Sequence, residues 1–205
     1  MAWAAQTARL AVNYSRKDDA VTALWTLPGK PQIIDLYHGN TGLGGREIDF
    51  HALYASGIRM VIHKATQGTG FIDPAYTRRR PLALAAGLGW EAYHFATDED
   101  PKAQMEFFLT FANLDATMRG VIDVEPSTNT ISPDRADALA DLLDQRRGAQ
   151  ALRYGGGGFL SPDTIDATPH LRKGPWWWSK YGPMPTRAWL AEVGIDADDL
   201  VMWQE

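Results

Sequence analysis

Val121-Ile122-Asp123-Val124-Glu125-Pro126 is a short apolar run that ends in two acids and a proline. Side chains on a strand alternate, so Asp123 and Glu125 point one way while Ile122 and Val124 point the other, with the two acidic Cα atoms roughly 6.5 Å apart. The segments on either side are helix-like: Pro101 to Phe111 before it, and Ser132-Pro133-Asp134-Arg135 to about Arg147 after it. The same alternation extends outward. Towards the N-terminus lie the strand-like Trp90-Glu91-Ala92-Tyr93-His94-Phe95, a helix opened by Asp73-Pro74 and closed by Gly87, the strand Ile58 to Ala65, a short helix over Ile48 to Ser56, and the strand Gln32 to Tyr37. Towards the C-terminus, Ala151-Leu152-Arg153-Tyr154 is a fifth strand, ended by Gly155 to Gly158. Strands alternating with helices of ten or more residues require crossovers, which are right-handed, and hence a parallel sheet, either doubly wound or closed into a barrel.

After residue 160 the helical pattern thins, and Pro175 to Tyr181 and Leu200 to Trp203 read as strands with little helix between them. A regular eightfold barrel needs roughly 250 residues, and this chain has 205. The first thirty residues are weakly patterned, so the expected organisation is an N-terminal extension over 1–30 and one α/β domain over 31–205.

Composition removes several function classes. A formal net charge of −5, with signs mixed along the chain, gives no electrostatic grip on nucleic acid. The run Arg78-Arg79-Arg80 is expected at a solvated helix end, where cations favour the dipole. With no cysteine there is no disulfide, thiolate metal site or cysteine nucleophile. No His/Asp/Glu set has ligand spacing, so neither metal nor other cofactor is expected. No apolar run approaches the ~20 residues of a membrane helix, and Met1 to Asp19 makes a poor secretory signal. Ser15 and Ser161 lie outside any Gly-x-Ser-x-Gly elbow, and the Gly155–Gly158 run lacks a P-loop ending.

In parallel α/β architectures the loops after the strand C-termini build the site. Polar groups gather there in this chain: Asp35 with Tyr37 and His38, Lys64 with Gln67, Tyr93 with His94, Asp123 with Glu125, and Tyr154. Two carboxyls that close do not titrate independently, and the one in the drier surroundings keeps its proton to higher pH. A protonated acid beside a carboxylate is the minimum apparatus for cleaving a glycosidic bond. The spacing is compatible with both the ~5–5.5 Å separation of retaining enzymes and the ~6.5–9.5 Å of inverting ones.

An ordered series of motifs resembles glycoside hydrolase family 25, the N-acetylmuramidases (lysozymes) of phage endolysins and bacteria. Ile34-Asp35-Leu36-Tyr37-His38-Gly39, Asp49-Phe50 to Gly57, Val61-Ile62-His63-Lys64-Ala65-Thr66-Gln67-Gly68, Phe71 with Asp73-Pro74, Ala92-Tyr93-His94-Phe95 and Asp123-Val124-Glu125 fall in family order. Weaker echoes are Tyr154-Gly155-Gly156, Trp178 to Gly182 and Met202-Trp203-Gln204. The resemblance implies a flattened, irregular (β/α)5(β)3 barrel, TIM-barrel-like. It implies Glu125 as general acid, held protonated beside an ionised Asp123 that stabilises positive charge or orients the 2-acetamido group, with Asp35 opposite. Tyr93, Lys64, Tyr37, Tyr154, Trp178 and Trp203 would bind substrate. The implied partner is bacterial cell-wall peptidoglycan, met by a monomer made in the cytoplasm and acting after release or export.

Plainer roles compete at several positions. Lys64 is equally a structural partner of Asp35 or Asp123, and His94 reads as a packed, hydrogen-bonded histidine. Family members usually continue past the Trp-Gln pair into a segment that closes the barrel and carries another acid, and here Glu205 follows Gln204. Either that segment is missing or the N-terminal extension, through Ala8 to Tyr14, supplies the strand. The alternatives to a muramidase are a catalytically impaired peptidoglycan-binding module and a chitinase-like glycosidase. The latter's Asp-x-x-Asp-x-Asp-x-Glu run is absent, since Arg119-Gly120-Val121 precede Asp123.

Overall fold

A computed structural model describes residues 6–10, 33–42, 45–156, 159, 161–179 and 186–204, and of residues 6–10, 162, 203 and 204 the backbone alone. Seven of its strands run parallel in sequence order: β2 (Ile33–Leu36), β3 (Met60–Gln67), β5 (Gly89–Phe95), β6 (Val121–Val124), β7 (Leu152–Gly155), β8 (Trp176–Trp178) and β9 (Leu200–Gln204). β4 (Phe71–Ile72) folds back antiparallel on the end of β3. β1 (Gln6–Leu10) runs antiparallel between β9 and β2, so the pairings pass around the strands and return to where they started. The sheet is therefore a curled one. Residues 6–10, expected in a separate extension, run as a strand of this sheet; the rest of the segment to Gln32 lies outside the described residues.

Helices cover the outside: α1 (Phe50–Ser56), α2 (Tyr76–Ala85), α3 (Pro101–Ala112), α4 (Pro133–Arg147), then the short α5 (Pro162–Ala167), α6 (Pro169–Arg172) and α7 (Arg187–Glu192). Local sequence sets most of their ends. Asp49 and Asp100 accept from the backbone N–H of Ala52 and Ala103 at 2.9 and 2.8 Å, each satisfying a donor that the first turn leaves free. Gly57 and Gly148 end α1 and α4 with φ of 109° and 64°, a conformation glycine adopts without steric penalty. Shortening of the helices after residue 160 agrees with the fading pattern there.

One start differs from expectation. α2 begins at Tyr76 rather than at Asp73-Pro74, because the Asp73 carboxylate accepts from the backbone N–H of Ala75 and of His38, both at 2.9 Å. It ties a loop to a turn instead of capping the helix.

Two apolar layers result. The larger lies between sheet and helices and holds Leu36, Val61, Ile122, Val124, Phe108, Leu139 and Leu143 among others. A smaller cluster fills the inside of the curl: Ile33, Ile62, Val121, Leu152, Tyr154, Trp177 and Met202. Among the described residues no helix is long and apolar enough to cross a membrane.

Candidate active site

The inner cluster dictates the site through strand alternation. Two residues beyond each apolar plug residue, the next inward side chain is polar: Ile33 leads to Asp35, Ile62 to Lys64, Val121 to Asp123 and Leu152 to Tyr154. The strands are parallel, so these groups meet at one end. There they line a cleft of ≈ 250 Å³ together with Tyr93, Glu125 and Tyr37. Seven of the nine side chains expected in the site thus share one opening.

Glu125 falls one residue past β6, where the chain leaves the sheet, and is less buried than Asp123. The Tyr154 hydroxyl donates to its carboxylate. Asp35 and Asp123 each carry a buried Oδ1 with no hydrogen-bond partner among the described residues. Burial dominates the titration of all three. Asp35 is pushed up to about 7, first by burial and then by the charge of Glu125. Asp123 is raised well above the ordinary carboxyl range by burial and by Glu125 and Asp35, against the pull of Lys64. Glu125 is raised by burial, with the Tyr154 bond and Lys64 opposing.

Lys64 is placed by a bulge. The register of β3 on β5 slips between Lys64 and Thr66, so Ala65 and Thr66 both face the helices, with Thr66 Oγ1 2.8 Å from His94 Nδ1. Lys64 and Gln67, three residues apart, then share the inner face, and Lys64 Nζ donates to Gln67 Oε1 at 2.6 Å. The ammonium also lies 4.6 Å from the Phe95 ring centroid. Burial lowers its pKa, while Asp123, Asp73 and Glu125 act to raise it. Tyr93, buried beside the acids, is driven well above the usual phenol value and stays a neutral donor. His94 is the packed histidine expected: it is fully buried, its Nε2 lies 3.2 Å from Gln104 Oε1, and burial lowers its pKa to about 4.

Trp178 is a correction. Its ring points into the helical layer, 5.4 Å from that of Trp189, and Trp177 lines the cleft instead. Pairing of β8 with β7 sets Trp177 opposite the inward Tyr154, with ring centroids 4.4 Å apart. In a run of three tryptophans the phase is invisible until that register is known. Trp203 pairs through its backbone with Trp178, and its side chain lies outside the described residues. Three further lining residues were missed, the plug residue Val121 among them. Phe95 was available by the two-residue step from Tyr93, whereas Asn40 sits on an irregular loop that carries no such signal. Among the described residues no group of three or more His, Asp or Glu side chains is arranged to hold a metal.

Known proteins resemble this chain in sequence and in fold. A family model described as Glycosyl hydrolases family 25 matches residues 34–204. An autolytic lysozyme of Clostridium acetobutylicum is 30% identical over 171 residues, covering 81% of this chain and 50% of that protein. An N,O-diacetylmuramidase of Arthroderma benhamiae is 28% identical over 141 residues, 64% of this chain and 54% of the other. The chain spans about half the length of these curated relatives. Among solved structures, a muramidase from Trichobolus zukalii shares the fold with a TM-score of 0.59 at 24% identity, covering 73% of this chain and 77% of that one.

Proposed function

The chain belongs to glycosyl hydrolases family 25, and from that membership and the cleft we propose that it hydrolyses peptidoglycan at the β-1,4 bond between N-acetylmuramic acid and N-acetylglucosamine. The observation that carries this is the meeting of Asp35, Asp123 and Glu125 at one opening beside Lys64. Three carboxyls so placed retain protons into the range where free acids have lost theirs. Glu125, the one nearest the opening, gives a proton to the departing glycosidic oxygen. As positive charge grows on the sugar, the Asp123 carboxylate offsets it, and a water adds at the anomeric carbon and returns a proton to the Glu125 carboxylate. Asp35 holds the sugar from the facing strand. Tyr37, Tyr93, Tyr154 and Trp177 offer ring faces and hydroxyls to the amino sugars, and Lys64 contributes a cation that restrains the acid pair.

The curled sheet fits an irregular (β/α)5(β)3 barrel in which residues 31–205 form the catalytic unit, with β1 from the preceding segment added to its sheet. The substrate lies outside the membrane, so the chain acts after release or export, and it acts as a monomer.

Clearing of a cell-wall suspension tests the activity. The intact chain clears it, and Glu125→Gln, folded as judged by circular dichroism, slows clearing by at least ~100-fold, the ordinary contribution of a general acid. Mass spectrometry of the products should find muramic acid at the new reducing end. Glucosamine there would move the cleavage to the other bond, and wall binding without clearing would replace the enzyme with a binding module.

A further inference from the structure

The run Arg78-Arg79-Arg80 does not form a solvated helix end. It occupies the first half of α2, and Arg79 is 2% exposed. Arg79 does not line the cleft, and its guanidinium binds the loop that follows β2. Nη1 donates to the backbone carbonyl of Tyr37 at 2.8 Å, Nη2 to that of Asn40 at 2.6 Å, and Nε to Glu47 Oε1 at 2.9 Å. Nη1 also lies 3.3 Å from His63 Nε2. His63 holds Lys64 O 2.8 Å from its Nδ1, which therefore carries the proton and leaves Nε2 as an acceptor facing the arginine. The imidazole is neutral, since burial takes its pKa down to about 4, and it stacks on Trp90 at 5.3 Å.

The two carbonyls that Arg79 binds belong to the two cleft-lining residues of this loop, Tyr37 and Asn40. The loop is held from within by Asn40, whose Oδ1 accepts from the Tyr37 N–H at 2.8 Å. From the other side Asp73 Oδ2 accepts from the His38 backbone N–H and lies 2.9 Å from its Nδ1. The Tyr37 ring in turn lies folded across its own loop: a Cβ added to Gly39 would come 2.5 Å from Tyr37 Cε2. Backbone position at 37–40 therefore sets where the Tyr37 ring sits.

Resting on the muramidase reading above, we propose that Arg79 is a positioning residue that fixes the Tyr37–Asn40 wall of the cleft and so governs substrate affinity rather than bond cleavage. Asp123 on β6 and Glu125 just past its end lie outside this network. A lysine reaches fewer acceptors than the rigid fork of arginine, so Arg79→Lys loosens the wall while keeping the charge.

Two measurements decide it. In Arg79→Lys, KM for soluble peptidoglycan fragments should rise roughly tenfold, about the loss of one oriented hydrogen bond, with kcat within about twofold of the parent. Amide hydrogen exchange at His38 and Asn40 should accelerate selectively. Glu47→Gln, which leaves the guanidinium and its carbonyl bonds in place, should shift both quantities in the same direction by less, and it carries the test if Arg79→Lys does not fold. An unchanged KM, a fall in kcat at constant KM, or unaltered exchange at those two amides overturns the proposal. Should the parent cleave no peptidoglycan, the muramidase reading falls separately, and exchange alone then confirms or rejects the clamp.

Discussion

Lys64 acts against burial at Asp123 and Glu125, holding down the pKa values of both. The sign of its effect is testable. Lys64 lowers the pKa values of Asp123 and Glu125, so removing it raises them. Activity that needs a protonated acid is lost as pH rises through that pKa, so Lys64→Met should move the alkaline limb of the kcat/KM profile to higher pH. A limb that stays in place would show that Lys64 serves only Gln67 and the Phe95 ring. At this scale the sequence was legible where alternation governs. Asp35, Lys64, Tyr93, Asp123 and Tyr154 all lie two residues beyond an inward neighbour on a strand. Arg79 was not legible. Nothing in Arg78-Arg79-Arg80 says which of three adjacent cations turns under a loop 39 positions away to meet Asn40.

β8 shows what an element adds to its residues. Trp176, Trp177 and Trp178 are all buried, and strand alternation alone allows either phase. Pairing with β7 selects the phase that turns Trp177 towards Tyr154 and sends Trp176 and Trp178 among the helices. The two outcomes separate by measurement. Trp177→Phe should raise KM for peptidoglycan fragments. Trp178→Ala should leave KM alone and cost about 3–5 kcal/mol of stability, the usual loss for a buried Trp, lowering Tm by roughly 10 °C. Equal effects of both on KM would mean that the Trp178 face also reaches substrate. β3 makes the same point through its bulge. Lys64-Ala65-Thr66-Gln67 reads as regular alternation, which would set Lys64 and Gln67 on opposite faces, and the slip against β5 reunites them.

For the whole molecule, the decisive contact is β1. Ala8 pairs with Ile33 on one side and Gln204 on the other, so this strand joins the first and last parallel strands. Without it β2, which carries Asp35, and β9 would both be open edges. Ala8→Pro removes an N–H from a strand paired on both sides, leaving a partner carbonyl unmet at about 1–3 kcal/mol, and should lower Tm by roughly 5 °C. An unchanged Tm would show that the strand adds nothing to the curl. The local pattern of the chain determined the order of strands and helices, the parallel sense of the sheet and the polar residues at the strand ends, because side-chain periodicity and capping act over a few residues. Only the tertiary structure decided which tryptophan enters the cleft, which arginine is buried, which acid is the drier and what fills the gap between β9 and β2. Those depend on register, and on how far water is excluded by segments distant in the chain, which no local pattern encodes.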